Sequence, residues 1–105
     1  MLAQARSRIR RYTPTEARAD DDLLLVDLRS IDERARFGII PGSKHVPYSV
    51  LQWRADPTSE WRDDELVGRR LCLICQQGYS SSLAAASLVE LGVDAGDLIG
   101  GYEAW

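Results

Sequence analysis

Cysteine is scarce in this 105-residue chain: Cys72 and Cys75 are the only two. Two thiols cannot build the disulfide framework of a small secreted fold. With His45 as the sole histidine, they also fall short of the four-ligand set of a structural zinc site. Long apolar runs are missing as well. Leu23–Val26 is a short run, whereas a helix needs about 20 apolar residues to cross a bilayer. Met1–Tyr12 carries Arg6, Arg8, Arg10 and Arg11 but no apolar stretch, unlike a secretory signal. A cytoplasmic location with no membrane partner is therefore expected. Excess positive charge is lacking too. Thirteen basic residues against sixteen acidic ones give a net charge of −3, and a general nucleic-acid binder needs a concentrated positive field. The arginines of the first twelve residues are a local exception. No aromatics are interleaved to stack bases and Glu16 soon interrupts the run, so they read as a solvated or frayed terminus rather than an RNA-binding arm.

What is present is the composition of an ordinary folded protein, 45% hydrophobic and 28% charged. The length suits one compact domain, since domains cluster near roughly 100–150 residues. Residues 1–9 are expected to be a flexible basic segment, and 10–105 the domain. Thr13-Pro14-Thr15-Glu16 carries a hydroxyl N-cap, a proline at the first helical position and a capping-box glutamate, so a short helix runs to about Arg18. Leu23–Val26, ending in Asp27, reads as a strand buried on both faces. Ser30-Ile31-Asp32-Glu33 repeats the capping box, and Gly38 closes that helix. Pro41-Gly42 marks a turn, followed by a brief strand at His45-Val46. A short helix is expected near Val50–Arg54, then a polar loop. Leu71–Ile74 is a second buried strand. Ser81–Leu91 is expected to be an amphipathic helix with Leu83, Ala84, Ser87, Leu88 and Leu91 on one face and Gly92 as its stop. An extended segment begins at Val93 and reaches Leu98-Ile99. Strands alternating with helices predict an α/β domain with a mostly parallel central sheet flanked by helices on both faces.

In open α/β sheets, ligands bind at the carboxyl ends of strands. Two strand ends here carry charged or reactive groups: Asp27-Leu28-Arg29 and Cys75-Gln76-Gln77-Gly78-Tyr79-Ser80-Ser81. Residues three apart on a strand point to opposite faces, so Cys72 is a small buried core residue while Cys75 emerges at the end. A glycine three residues after Cys75 permits tight curvature, and a helix starts within six residues. Such a turn can aim several N–H groups at one point, beside the positive end of a helix. Both effects favour an anion, and so a thiolate or persulfide on Cys75.

These segments resemble the motifs of the rhodanese-like sulfurtransferase family. Val26-Asp27-Leu28-Arg29 resembles its V-D-V-R strand, Glu33 and Gly38 its E-x-x-x-x-G helix, and Ile40-Pro41-Gly42-Ser43 its I-P-G-A turn, continued by His45-Val46-Pro47. Cys75-x-x-Gly78 followed by Ser81 resembles the active loop, and Gly100-Gly101-Tyr102-Glu103-Ala104-Trp105 the closing G-G-x-x-A-W. The resemblance spans roughly Arg10 to Trp105 with the motifs in family order. It implies that Cys75 takes sulfur from a donor, holds it as a persulfide cradled by the amides of Gln76 to Ser81, and passes it to a thiol or other nucleophilic acceptor. No metal or organic cofactor is implied. Neither the identity of donor and acceptor nor an oligomeric state is written in these motifs.

Two departures stand out. The commonest family loop, C-x-x-G-x-R, has arginine where this chain has Ser80, so the loop Cys75–Ser80 is uncharged. Weak use of thiosulfate and a preference for a persulfide donor, on a protein or a small thiol, are the expectation. The family also usually continues with a terminal helix beyond the position of Trp105. Phosphatases and arsenate reductases of this fold carry a C-x5-R loop, and Ser81 stands where their arginine would be, which argues against phosphate chemistry. Among the supporting positions, Asp27 is expected to tie down loop amides. Arg29 is expected to pair with Asp27 or Glu33 at least as readily as with substrate, and His45 to be a satisfied hydrogen-bonding residue rather than an acid or base. Tyr79 and Ser80 are expected to shape access. Gly100-Gly101 is expected to allow a close turn beside the loop, and Trp53, Trp61 and Trp105 to be core or edge-covering aromatics. The competing reading is non-enzymatic: a binding or sensor module that keeps Cys75 as a redox switch, or a scaffold whose Cys75 is inert.

Overall fold

A computed structural model describes all residues from Met1 to Trp105. In chain order the elements are α1 (Leu2–Ser7), β1 (Arg10–Tyr12), α2 (Pro14–Ala19), β2 (Leu23–Asp27), α3 (Ile31–Phe37), β3 (Lys44–His45), a 3-10 turn (Tyr48–Val50), α4 (Leu51–Ala55), β4 (Arg70–Ile74), α5 (Ser80–Glu90), β5 (Ala95–Leu98) and α6 (Gly101–Ala104). The five strands form one sheet in the order β1-β5-β4-β2-β3, and every neighbouring pair is parallel. The α/β class and the parallel sheet expected from sequence are those of the structure.

Alternation along the central strands divides the core in two, because successive side chains of a strand face opposite sides. Val26, Leu71 and Leu73 pack on one face with Leu51 and Ala55 of α4 and Ala84, Ala85 and Leu88 of α5. Leu23, Cys72 and Ile74 face the other side, with Tyr12, Ala17 of α2 and Leu98, and with Tyr102 and Trp105 at the margin. Both sides of β2 and β4 are thus covered, which is why their sequences read as continuous apolar runs. Both predicted capping boxes form. The Thr13 and Ser30 hydroxyls accept from the N–H groups of Glu16 and Glu33, and each glutamate accepts from the cap backbone in return.

The structure departs from the sequence reading in four places. The arginine-rich start is not frayed: residues 2–7 are helical, α1 packs along α5, and Ala5 is buried. Met1 offers no side-chain cap, and a six-residue helix has too little local stability to show in a pattern, so it is docking that holds it. Strand β1 also lacks a signal, being a three-residue edge strand with one buried side chain. The buried face of α5 is Ser81, Ser82, Ala84, Ala85 and Leu88, while Leu91 is exposed. Small residues, not a leucine stripe, bring this helix close to the sheet. Trp53 and Trp61 are 62% and 67% exposed, so they are not core residues. Leu51 and Ala55, four apart, take the buried face of α4, which turns Trp53 outward. Trp105 does cover the second core, with the Arg18 guanidinium 4.4 Å above its ring.

Candidate active site

Strands β2 and β4 run side by side with Asp27 opposite Ile74, so the residues that follow them, Leu28-Arg29 and Cys75, leave the sheet together. Beyond this edge lies a cavity of about 600 Å³ lined by Leu28, Arg29, Ser30, Glu33, Pro47, Tyr48, Ser49, Cys75, Gln76, Gln77, Tyr79 and Ser80. Cys75 forms part of its floor with only 7% of its surface exposed, whereas Gln77, Tyr79 and Ser80 stand at the exposed mouth.

The loop after Cys75 folds back on its sulfur. The N–H of Gly78 lies 3.1 Å from Cys75 Sγ and that of Ser81 3.4 Å, and the thiol lies 3.3 Å from Ser81 Oγ. Gly78 has φ +88°, a left-handed conformation that glycine adopts without strain. The start of α6 meets the loop from below: the N–H groups of Tyr102 and Glu103 donate to the carbonyls of Cys75 and Gln76 at 2.8 and 3.1 Å. Such an approach needs Gly101. Its φ is +64°, and a Cβ there would stand 2.4 Å from the Cys75 carbonyl oxygen and 2.7 Å from the Gly78 nitrogen. The glycine pair therefore makes the close turn expected of it.

Burial pushes the Cys75 thiol up. The nearby Ser80 and Ser81 hydroxyls and the Ser81 and Gly78 amides outweigh it and hold the thiol below its ordinary value. Each of these groups can point a hydrogen at a thiolate, so the charged form gains what desolvation removes.

Below the loop is a buried polar network. Asp97 on β5 is fully buried and accepts from Arg11 at 2.9 and 3.3 Å, from Ser81 Oγ at 3.0 Å and from Ser82 Oγ at 2.6 Å. A second network flanks the cavity. Arg29, 2% exposed, donates to Asp27 through Nε and Nη2, to the Gly38 carbonyl through Nη2 and to Gln76 Oε1 through Nη1. Its guanidinium also lies 3.9 Å from the Tyr102 ring centroid. Arg34 Nε lies 3.2 Å from Asp27 Oδ2, a charge contact without hydrogen-bond alignment. Burial raises Asp27, but Arg29 and Arg34 outweigh it and keep its carboxyl below the usual range. His45 stands outside the cavity lining and shares a 2.7 Å hydrogen bond with the Arg29 carbonyl.

A model of the rhodanese-like domain matches residues 14–105. The chain belongs to the rhodanese-like domain family. Solved structures agree with that placement. A protein of unknown function from Rhodopseudomonas palustris CGA009, described as a possible tyrosine phosphatase, superposes with a TM-score of 0.90 at 29% identity, covering 99% of this chain and 84% of that one. A rhodanese homolog from the extremely thermophilic bacterium Thermus thermophilus superposes with a TM-score of 0.63 at 29% identity, over 91% of this chain and 100% of that one. A single-domain sulfurtransferase from Saccharomyces cerevisiae, at 20% identity, shares the fold with a TM-score of 0.63 over 92% and 88% of the two chains. No curated protein matches the chain.

Of the residues singled out by sequence for this rhodanese-like domain, Arg29 and the loop residues Cys75, Gln76, Gln77, Tyr79 and Ser80 line one cavity, and Gly78 and Ser81 touch the sulfur from behind. Asp27 and His45 stand outside the lining and act on it through Arg29. Sequence reasoning missed Asp97, Ser82 and Arg11 of the buried network, and Arg6, whose guanidinium donates to the Gly78 carbonyl and to Ser82 Oγ. Nothing in spacing linked them, because α1, β1, the start of α5 and β5 meet only in the folded chain.

Proposed function

We propose that this domain is a sulfurtransferase or sulfur carrier that holds a persulfide on Cys75. The observation that carries this reading is the pair of amide hydrogens, from Gly78 and Ser81, directed at a sulfur on the floor of an open cavity. The Cys75 thiolate attacks the outer sulfur of a persulfide donor. A new S–S bond forms, the donor's S–S bond breaks, and the donor thiolate leaves with the bonding electron pair. The acceptor nucleophile then takes the outer sulfur and Cys75 leaves as thiolate, so no external oxidant or reductant is consumed. Ser81 assists through its single hydroxyl hydrogen. That hydrogen bonds to Asp97 while Cys75 is a thiol, and it can turn to the sulfur once charge develops, because Arg11 and Ser82 still satisfy Asp97.

Donor choice follows from charge. The loop from Gln76 to Ser81 carries none, and Arg29, the cation of the lining, already has four of its five N–H donors engaged. Glu33 adds a carboxylate to the wall. A dianion such as thiosulfate lacks charge-assisted hydrogen bonds worth about 1.5–3 kcal/mol each, so a persulfide on a protein or small thiol is the preferred donor. Phosphate ester hydrolysis, which the name of one structural neighbour suggests for that protein, is disfavoured in this chain. Ser81, not arginine, closes the loop, and its hydroxyl is committed to Asp97 and the sulfur.

Incubating reduced protein with a persulfide donor and weighing it intact tests the reading. An adduct of about 32 Da, removed by cyanide and absent in Cys75→Ala, is expected. Thiosulfate at equal concentration should load far more slowly. Oxygen adducts alone would favour a redox-sensing module, and no reaction with either reagent would favour an inert scaffold.

A further inference from the structure

We propose that Arg6, on the N-terminal helix α1, is a positioning residue of the Cys75 loop. The proposal rests on the reading of Cys75 as an anion site and extends that site to a segment outside residues 14–105, which the family model matches. Arg6 reaches across from α1 and makes two contacts: Nη2 donates to the Gly78 carbonyl at 3.0 Å and Nε to Ser82 Oγ at 3.1 Å. Gly78 is the residue whose own N–H points at Cys75 Sγ.

Competition for hydrogens makes Arg6 more than one partner among several. Ser82 Oγ lies 3.3 Å from the Gly78 carbonyl and 2.6 Å from Asp97 Oδ2, but a hydroxyl has one hydrogen to give. The shorter contact, to a carboxylate, takes it. The Gly78 carbonyl then depends on Arg6 for its charged donor. On its other side Gly78 sits against the start of α6, where a Cβ would come 3.0 Å from the Gly100 nitrogen. Gly78 is thus held between two supports, and glycine without them would sample a wide range of backbone angles. The Gly78 carbonyl and the Gly78 amide lie in successive peptide planes joined by φ and ψ of this residue. Holding the carbonyl on one side and the backbone against α6 on the other therefore narrows both angles and keeps the amide aimed at Cys75 Sγ. Arg6 also brings a formal positive charge to a loop that has none of its own between Gln76 and Ser81.

Arg8 supplies the control. It carries the same charge two residues further along the chain, yet pairs on the surface at 3.2 Å with Glu90, the last residue of α5, and not with the loop at the start of that helix. The experiment is the pH profile of Cys75 alkylation by iodoacetamide in the full chain, followed by intact mass, for wild type, Arg6→Ala, Arg6→Lys and Arg8→Ala. Its midpoint reports the thiolate directly, and no sulfur donor is involved. In Arg6→Ala the midpoint should rise by about 0.5–1 on the pH scale, with persulfide loading near neutral pH about three- to tenfold slower. Arg6→Lys, which keeps the charge but cannot fork to both acceptors, should recover only part of the difference. Arg8→Ala should match wild type. An Arg6→Ala midpoint equal to wild type, or an Arg8→Ala midpoint displaced as far as that of Arg6→Ala, overturns the proposal. If wild type takes up no sulfur while the Arg6→Ala midpoint still moves, the sulfur-carrier reading falls and the positioning role of Arg6 stands.

Discussion

Two cysteines three residues apart in this chain have opposite surroundings, and the difference comes from where strand β4 ends. Cys72 points from the middle of the strand into the second core with none of its surface exposed. Burial, aided by the negative charge of Asp97, pushes its thiol far above the ordinary range. Cys75 lies one step past the last strand residue and is also mostly buried, but its burial is lined with hydrogen-bond donors. Its thiol goes down instead. Low solvent exposure alone therefore does not set the direction in which a thiol is shifted. What decides is whether the groups that replace water can answer a negative charge.

The comparison breaks most visibly under substitution of the cysteines themselves. Cys75→Ala should lose all sulfur loading, whereas Cys72→Ala should load at near wild-type rate; mass analysis of both proteins after donor treatment checks this. Gly101→Ala should come next, because left-handed backbone alone costs an alanine about 1–3 kcal/mol and its Cβ would overlap the Cys75 carbonyl. A lower unfolding midpoint in denaturant together with slowed loading is the expected pair of effects. Ser81→Ala keeps the amide at position 81 but removes the hydroxyl beside the sulfur, so the alkylation midpoint of Cys75 should rise and its rate near neutral pH fall about three- to tenfold.

The smallest effect lies in stability at alkaline pH. Cys72 is held neutral in the fold, so its folded value is raised above the ordinary 9.0. Its contribution is fully present below the ordinary thiol range and is lost as pH climbs above it, because only the unfolded chain can then ionise. Cys75 has the opposite sign. Urea midpoints measured from about pH 7 to 10 should fall less steeply for Cys72→Ala than for wild type.

The contrast between the surroundings of the two cysteines was legible in the sequence because it depends on local order: a buried run, a cysteine at its end, a glycine three residues on and a helix after that. The sheet was legible for the same reason, since β2 and β4 are apolar on both faces and the helices that start at Pro14 and Ile31 announce themselves with capping boxes. The supports beneath the loop were not. Asp97 sits in a short strand, Ser82 looks like any helix serine, and Arg6 lies in a basic segment whose natural reading is a solvated end. Their significance comes from contacts between residues distant in the chain, such as Arg6 with Gly78 and Ser82. The exposed tryptophans failed for a related reason: a large aromatic favours burial, but on five-residue α4 the sheet could accept only Leu51 and Ala55.

Fragment-ion mapping of the protein after brief exposure to a limiting persulfide donor near neutral pH tests the central claim most directly. The account predicts a single added sulfur located on Cys75, with Cys72 unmodified. Sulfur found on Cys72, or no sulfur on either residue, would contradict it.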